Sequence, residues 1–162
     1  MNRFLLSYDH SGVNLIEEIN SLNPELVIDV GCGTNFFKNK IKNLIGFDMI
    51  NYPNIDYNCT ISDMIVKLGS VDVVLALGSL QDTNREQIYQ DISKIVDWLK
   101  PGGFIVVRNK KFVSESKSAN SGWGYYWSQE WFNKISEDFN LTTIKGPVAD
   151  GQRIVWWWKK NN

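Results

Sequence analysis

Short apolar runs alternate along the chain with segments whose hydrophobic residues recur every three or four positions, the pattern of strands and helices laid down in turn. Ser11 can cap a helix carrying Leu15, Ile16, Ile19 and Leu22 on one side, stopped by Pro24. LVIDV (26–30) is a short apolar run ending at glycines, the form of a buried parallel strand. A brief helix bearing Phe37 and Ile41 leads to a second strand, LIGFD (44–48), and a weak third, NIDYN (54–58). ISDMIVKLG (61–69) reads as a short helix before a strong fourth strand, VDVVLAL (71–77).

The clearest helix runs from about Asn84 to Leu99, with Ile88, Ile92, Ile95, Val96 and Leu99 on one face. Lys100-Pro-Gly-Gly ends it, and GFIVVR (103–108) is a fifth buried strand. A loop rich in Ser, Lys and aromatics (109–127) precedes a helix capped by Ser128, whose inner side carries Trp131, Phe132, Ile135 and Phe139. LTTIK (141–145) and RIVWWWK (153–159) are the last two strands. The final strand is apolar on both faces, Ile154, Trp156 and Trp158 against Val155 and Trp157, so it belongs inside the sheet. This order predicts a doubly wound α/β domain with its ligand at the carboxyl ends of the first and fourth strands.

Composition narrows the class. With 43% apolar and 22% charged residues over 162 positions, the chain reads as one globular domain, and no run reaches the length of a membrane span. The first ten residues do not read as a secretory signal. Cys32 and Cys59 with the single His10 are too few for a four-ligand zinc site, so no metal is expected. They read as reduced small hydrophobes of a cytoplasmic protein. Charge is uneven: residues 1–99 hold seven basic and thirteen acidic groups, residues 100–162 ten and five. The basic part is either a face for an anionic acceptor or a solvated surface.

The segment VIDVGCGTN (27–35) places an acidic residue two positions before spaced glycines, where a turn can approach a ligand without a Cβ in the way. It resembles motif I of the class I S-adenosylmethionine (SAM)-dependent methyltransferases. The resemblance continues, in order, through VDVVLALGSLQ (71–81), LKPGGFIVV (99–107) and WSQEWFNKISEDFNLTTIK (127–145), most of residues 26–145. It implies a mostly parallel seven-stranded sheet with an antiparallel last strand and helices on both faces. It also implies a single domain over 1–162: an N-terminal helical segment (1–24), a SAM-binding half (25–108) and an acceptor-side half (109–162).

For the donor, the resemblance implies that Asp29 holds the amino-acid end of SAM, beside Gly31, Cys32 and Gly33. Asp48, at the end of the second strand, takes the two ribose hydroxyls, since a carboxylate accepts two charge-assisted hydrogen bonds. Met49 and Ile50 fall where the family packs apolar side chains on adenine. Thr60, Ile61 and Leu77 fall at further donor-pocket positions, with Asp63 the carboxylate nearest the family's adenine-amino contact. Two departures stand out. Asn35 replaces a glycine, although Asn tolerates positive φ. Phe36 replaces the third glycine of a dinucleotide fingerprint, which disfavours an oxidoreductase.

The acceptor is less defined. Leu77-Gly78-Ser79-Leu80 is not the polar-Pro-Pro-aromatic signature of amino-methylating DNA enzymes, and no Cys stands beside Pro as in cytosine-ring methylases. A small molecule is the expected acceptor, with RNA, a protein, or a non-catalytic SAM-binding regulatory role as alternatives. Methyl transfer is an in-line displacement, so alignment is the enzyme's main work. His10 and Asp82 are the candidate general bases if the acceptor arrives protonated. Trp123, Tyr125 and Tyr126 in SGWGYYWS (121–128) are the candidate acceptor wall. For a nucleic-acid acceptor, Arg108, Lys110, Lys111 and Lys117 would meet phosphates.

Overall fold

The computed structural model describes residues 12–81, 84–114 and 125–162. Among them are three α-helices, α1 (Leu15–Ser21), α2 (Arg85–Trp98) and α3 (Gln129–Asp138). The strands are β1 (Val27–Val30), β2 (Leu44–Asp48), β3 (Tyr57–Asn58), β4 (Val71–Ala76), β5 (Leu99–Lys110), β6 (Leu141–Asp150) and β7 (Arg153–Lys160). They form one sheet in the order β3-β2-β1-β4-β5-β7-β6. β7 runs antiparallel to both of its neighbours, and every pairing from β3 through β5 is parallel.

The winding reverses between β1 and β4. β1 lies between β2 and β4, Val27 opposite both Leu44 and Val73, so the turns that leave β1 and β4 emerge side by side. Chains wound this way bind ligands at that crevice. All four residues of β1 are buried, which explains its unbroken apolar run apart from Asp29.

Two cores sandwich the sheet. On one face Ile88, Ile92 and Ile95 of α2 and Trp131, Phe132 and Ile135 of α3 pack with Trp156 and Trp158 of β7. On the other, Leu15 and Ile19 of α1 pack with Phe37, Ile41, Val73, Val106 and Trp157. The final strand therefore divides its side chains as its sequence predicts. Phe132 stacks on Trp158 at 5.1 Å, and Trp127 meets Trp156 at 5.4 Å. Such aromatic pairs add about 0.5–1.5 kcal/mol each beyond the area they bury.

The α2 and α3 caps form as expected: Asn84 accepts from Gln87 N at 2.8 Å and Ser128 from Trp131 N at 3.0 Å. Four expectations change. α1 begins at Leu15, its N-cap Asn14 makes no side-chain bond, and Leu22 sits at its C-cap, 42% exposed. No helix carries Phe37 and Ile41, because Asn35, Asn39 and Asn43 all take left-handed φ and break the segment into turns. Residues 61–69 form turns as well. Only Ile61 and Met64 there are buried, while Ile65 is 94% exposed, too little burial to hold so short a helix. Finally, α2 stops at Trp98 and Leu99 already belongs to β5, pairing with Val71 before an irregularity restores the ladder at Val73 and Phe104.

Candidate functional site

The turn after β1 is held from beneath. Gly31 N and Cys32 N both donate to Phe47 O, at 2.9 and 3.1 Å, and Gly33 N donates to Asp48 Oδ2 at 2.9 Å. Gly31 has φ +65°, and a Cβ there would lie 2.7 Å from Ser79 Cβ in the turn after β4. Its missing side chain therefore makes room for the neighbouring turn of the protein. Gly33 differs: at φ +54°, a Cβ on it would meet open space. The amides of Gly31, Cys32 and Gly33 are thus spent inside the protein, and turns rather than a helix follow, so no helix N-terminus faces a pyrophosphate here.

Asn35 explains the loss of a glycine. Its φ is +56°, and its buried amide donates to Asn54 O at 2.8 Å and Asp56 Oδ2 at 3.3 Å. The carboxylate of Asp56 also accepts from Gly46 N at 2.9 Å and Lys38 Nζ at 2.6 Å. Although its partial burial acts the other way, those hydrogen bonds hold Asp56 below the usual carboxylate range. Asn35 thus ties the glycine turn to the segment before β3.

Two carboxylates face the turn. Asp48 accepts one backbone bond on each oxygen, from Gly33 N (2.9 Å) and Ile50 N (2.8 Å). A carboxylate oxygen has two lone pairs, so each keeps one acceptor position. Asp29 is 3% exposed, and burial, then the neighbouring Asp48, pushes its pKa up to about 8. Burial, Asp29 and Asp48 also push the Cys32 thiol far up, so it is no thiolate. Cys59 is raised by burial and by Asp63.

Around this pair, Met49 and Ile50 project into solvent, 73% and 55% exposed. Thr60 and Asp63 cap each other: the hydroxyl donates to Asp63 Oδ2 at 2.7 Å and accepts from Asp63 N at 3.2 Å. Ile61 is buried in the α2 core, and Leu77 packs against the opposite one. Ser79 Oγ is buried at the junction of the β1 and β4 turns without a hydrogen-bond partner.

Beyond β4 the character changes. Tyr125 is 2% exposed; its amide bonds Gln81 O, and its hydroxyl accepts from Arg85 Nε at 2.8 Å. That places the Tyr125 ring in the packing around Arg85 and Trp131. Tyr126 stays half-buried with Lys110 Nζ 4.7 Å from its ring centroid. Trp127 Nε1 donates to Leu80 O at 2.9 Å. Arg108 is paired with Asp150 at 2.6 Å, and Lys111 is exposed. His10, Asp82, Lys117 and Trp123 lie outside the described residues. Among the described residues no three His, Cys, Asp or Glu groups converge as for a metal ion, and no helix is long and apolar enough to cross a membrane.

No protein-family model matches the chain. Two curated relatives match by sequence, each named phosphoethanolamine N-methyltransferase 1. The Triticum aestivum protein is 36% identical over 70 residues, 41% of this chain and 14% of its own length. The Zea mays protein is 25% identical over 134 residues, 69% of this chain and 27% of its own length. The chain thus matches at most about a quarter of either relative's length. Among solved structures, the 1,6-didemethyltoxoflavin-N1-methyltransferase of Burkholderia thailandensis, with bound 1,6-didemethyltoxoflavin and S-adenosylhomocysteine, superposes with a TM-score of 0.74. That match covers 99% of this chain and 82% of the other at 15% identity. With the strand order above, it establishes the class I methyltransferase fold.

Proposed function

We propose that this chain transfers a methyl group from SAM to a small-molecule acceptor. One observation carries the reading: Asp48, fixed by two backbone amides at the end of β2, keeps an acceptor position on each oxygen for the paired ribose hydroxyls. The chemistry of the donor fits the rest. SAM carries an ammonium and a sulfonium, and Asp29 is a buried carboxyl without a compensating cation among the described residues, next to a second carboxylate. On this reading Asp29 takes the ammonium. Gly31, Cys32 and Gly33 shape the turn, Met49 and Ile50 lie on adenine, and Thr60, Ile61 and Leu77 complete the surroundings.

When bound, SAM supplies an electrophilic methyl group; the residues of this chain bind and orient the two reactants. The small-molecule class is supported by the names of the relatives, which specify phosphoethanolamine in the curated proteins and a toxoflavin precursor in the solved structure. An amine acceptor arrives protonated, which gives a general base work to do; His10 and Asp82 are our candidates. Tyr126 and Trp123 are our candidate acceptor contacts. We read residues 1–162 as one unit, with 1–24 an N-terminal helical segment, 25–108 the donor half and 109–162 the acceptor half. We assign the reaction to the cytoplasm, where Cys32 and Cys59 stay reduced.

The test pairs calorimetry with a methylation assay. S-adenosylhomocysteine should bind the wild-type chain, and labelled SAM should methylate phosphoethanolamine or another small amine. Binding without transfer to any small molecule, RNA or protein in a broad panel would favour the non-catalytic SAM-binding role. Absence of binding would remove the proposal.

A further inference from the structure

Most cations near the β4 turn have partners. Arg108 is paired with Asp150, Arg85 with the Tyr125 hydroxyl, and Lys110 lies over Tyr126. Arg153 is different. It opens β7, half-buried, between Lys110 of β5 and Asp150 of β6 in register. Asp150 is engaged by Arg108, and the Arg153 guanidinium makes no hydrogen bond or ion pair with a described residue.

What Arg153 approaches is the turn after β4. Gly78 has φ +108°, and a Cβ built on it would lie 3.9 Å from Arg153 Nη1 and 3.8 Å from Gln81 Nε2. Gln81 is 4% exposed and fixed in place: its Oε1 accepts from Lys110 N at 2.8 Å, and its backbone oxygen accepts from Tyr125 N. With the oxygen committed, the amide's NH₂ is left to face Gly78, and it has no described partner. Two nitrogen donors, one of them charged, therefore converge within 4 Å of one point, and glycine keeps that point open. Two such donors side by side, one of them charged and neither bonded to a described residue, suit an oxyanion.

We propose that Arg153 and Gln81 form an anion-holding subsite that takes a phosphate or carboxylate borne by the methyl acceptor. Position separates it from the donor. The ribose carboxylate Asp48 and the glycine turn belong to β2 and β1, whereas Arg153 comes from β7, on the far side of β4 and β5. An acceptor anchored there by its anionic end is held beside the switch point, as alignment requires. Its place in a reaction rests on the methyl-transfer reading above; the anion chemistry does not.

The arginine Nε–H resonances of the wild-type chain report this directly, with Arg153→Met identifying the signal. Titration with inorganic phosphate, and separately with acetate, should shift the Arg153 signal saturably, with phosphate the tighter if the acceptor is phosphorylated and acetate if it carries a carboxylate. Arg153→Lys, which keeps charge but loses the fork, should weaken calorimetric binding of the preferred anion roughly 10-fold or more. Shifts that are linear in concentration and alike for all arginines would overturn the subsite. Affinity for S-adenosylhomocysteine should stay within about twofold in Arg153→Met. A tenfold loss would mean that the guanidinium holds the donor's own carboxylate, and would overturn the acceptor assignment. If the wild type binds no S-adenosylhomocysteine, the methyl-transfer reading falls, and the phosphate and acetate titrations still judge the anion site.

Discussion

The two sides of β4 are built on opposite chemistry. On the β1–β2 side, Asp29 and Asp48 lie within one 20-residue stretch, and the backbone amides around Asp48 orient it. On the β5–β7 side, Trp127, Trp131, Trp156 and Trp158 form a continuous aromatic core, and cations predominate at its rim: Arg85, Arg108, Lys110 and Arg153, with Asp150 paired to Arg108. A carboxylate side suits a cationic donor, and a cationic rim suits an acceptor that is not itself cationic throughout. Buried rings contribute packing, so the second side is held together by apolar contact where the first presents hydrogen-bond acceptors.

The comparison breaks first at the aromatic side. Trp158→Ala should cost about 3–5 kcal/mol, because a fully buried indole leaves a cavity that the stacked Phe132 cannot fill. Thermal melting should fall by on the order of 10 °C, with S-adenosylhomocysteine affinity nearly intact in the cold, folded protein. A variant that melts normally but no longer binds would tie the donor site to the wrong side.

Asp48→Ala should act in the reverse sense. It removes two charge-assisted hydrogen bonds, about 1.5–3 kcal/mol or roughly 10- to 150-fold in affinity. It also strands the amides of Gly33 and Ile50, so some loosening of the turn is expected alongside. Unchanged calorimetric affinity would take Asp48 out of the ribose role.

Asp29→Asn sharpens the contrast through pH. Asp29 is raised from 3.8 to about 8 in the fold, so its contribution to stability is complete below about 3.8 and is lost as pH rises through about 8. The asparagine variant should therefore gain melting temperature over wild type as pH moves from 4 to 8.5. Wild-type affinity for SAM should rise over the same range as the carboxyl ionises, and the variant's should stay flat. A constant melting difference would show that Asp29 does not titrate there.

The smallest effect belongs to the thiols. Replacing Cys32 and Cys59 together with Ser should leave donor affinity and turnover within a few-fold, since both thiols are held protonated. Complete loss in a folded double variant would point to covalent chemistry.

The carboxyl-lined turn between β1 and β2 is the more legible region because its parts are local. Asp29, Gly31, Gly33 and Asp48 sit at fixed spacing around two short strands, and burial forces those strands to read as apolar runs. The role of Gly31 was not legible, because the Ser79 side chain that fills its space comes from another strand. Asparagines at positive φ look like ordinary polar residues in a sequence, which is why a helix was expected over Phe37 and Ile41. Tyr125 could not be told from Tyr126 by pattern alone, since the ring that turns inward is chosen by Arg85 and Gln81. The convergence of Gln81 and Arg153 joins the turn after β4 to a strand beyond β5, a separation that no local motif spans.

A crystal structure of the chain with S-adenosylhomocysteine tests the central claim most directly, that the donor occupies the carboxylate side of β4. The ribose oxygens should lie within hydrogen-bond distance of both Asp48 oxygens, the ammonium should face Asp29, and the space between Gly78 and Arg153 should remain clear of the donor. A donor seated elsewhere, such as the shallow groove lined by Met64, Leu68, Tyr89 and Trp98, would contradict the account.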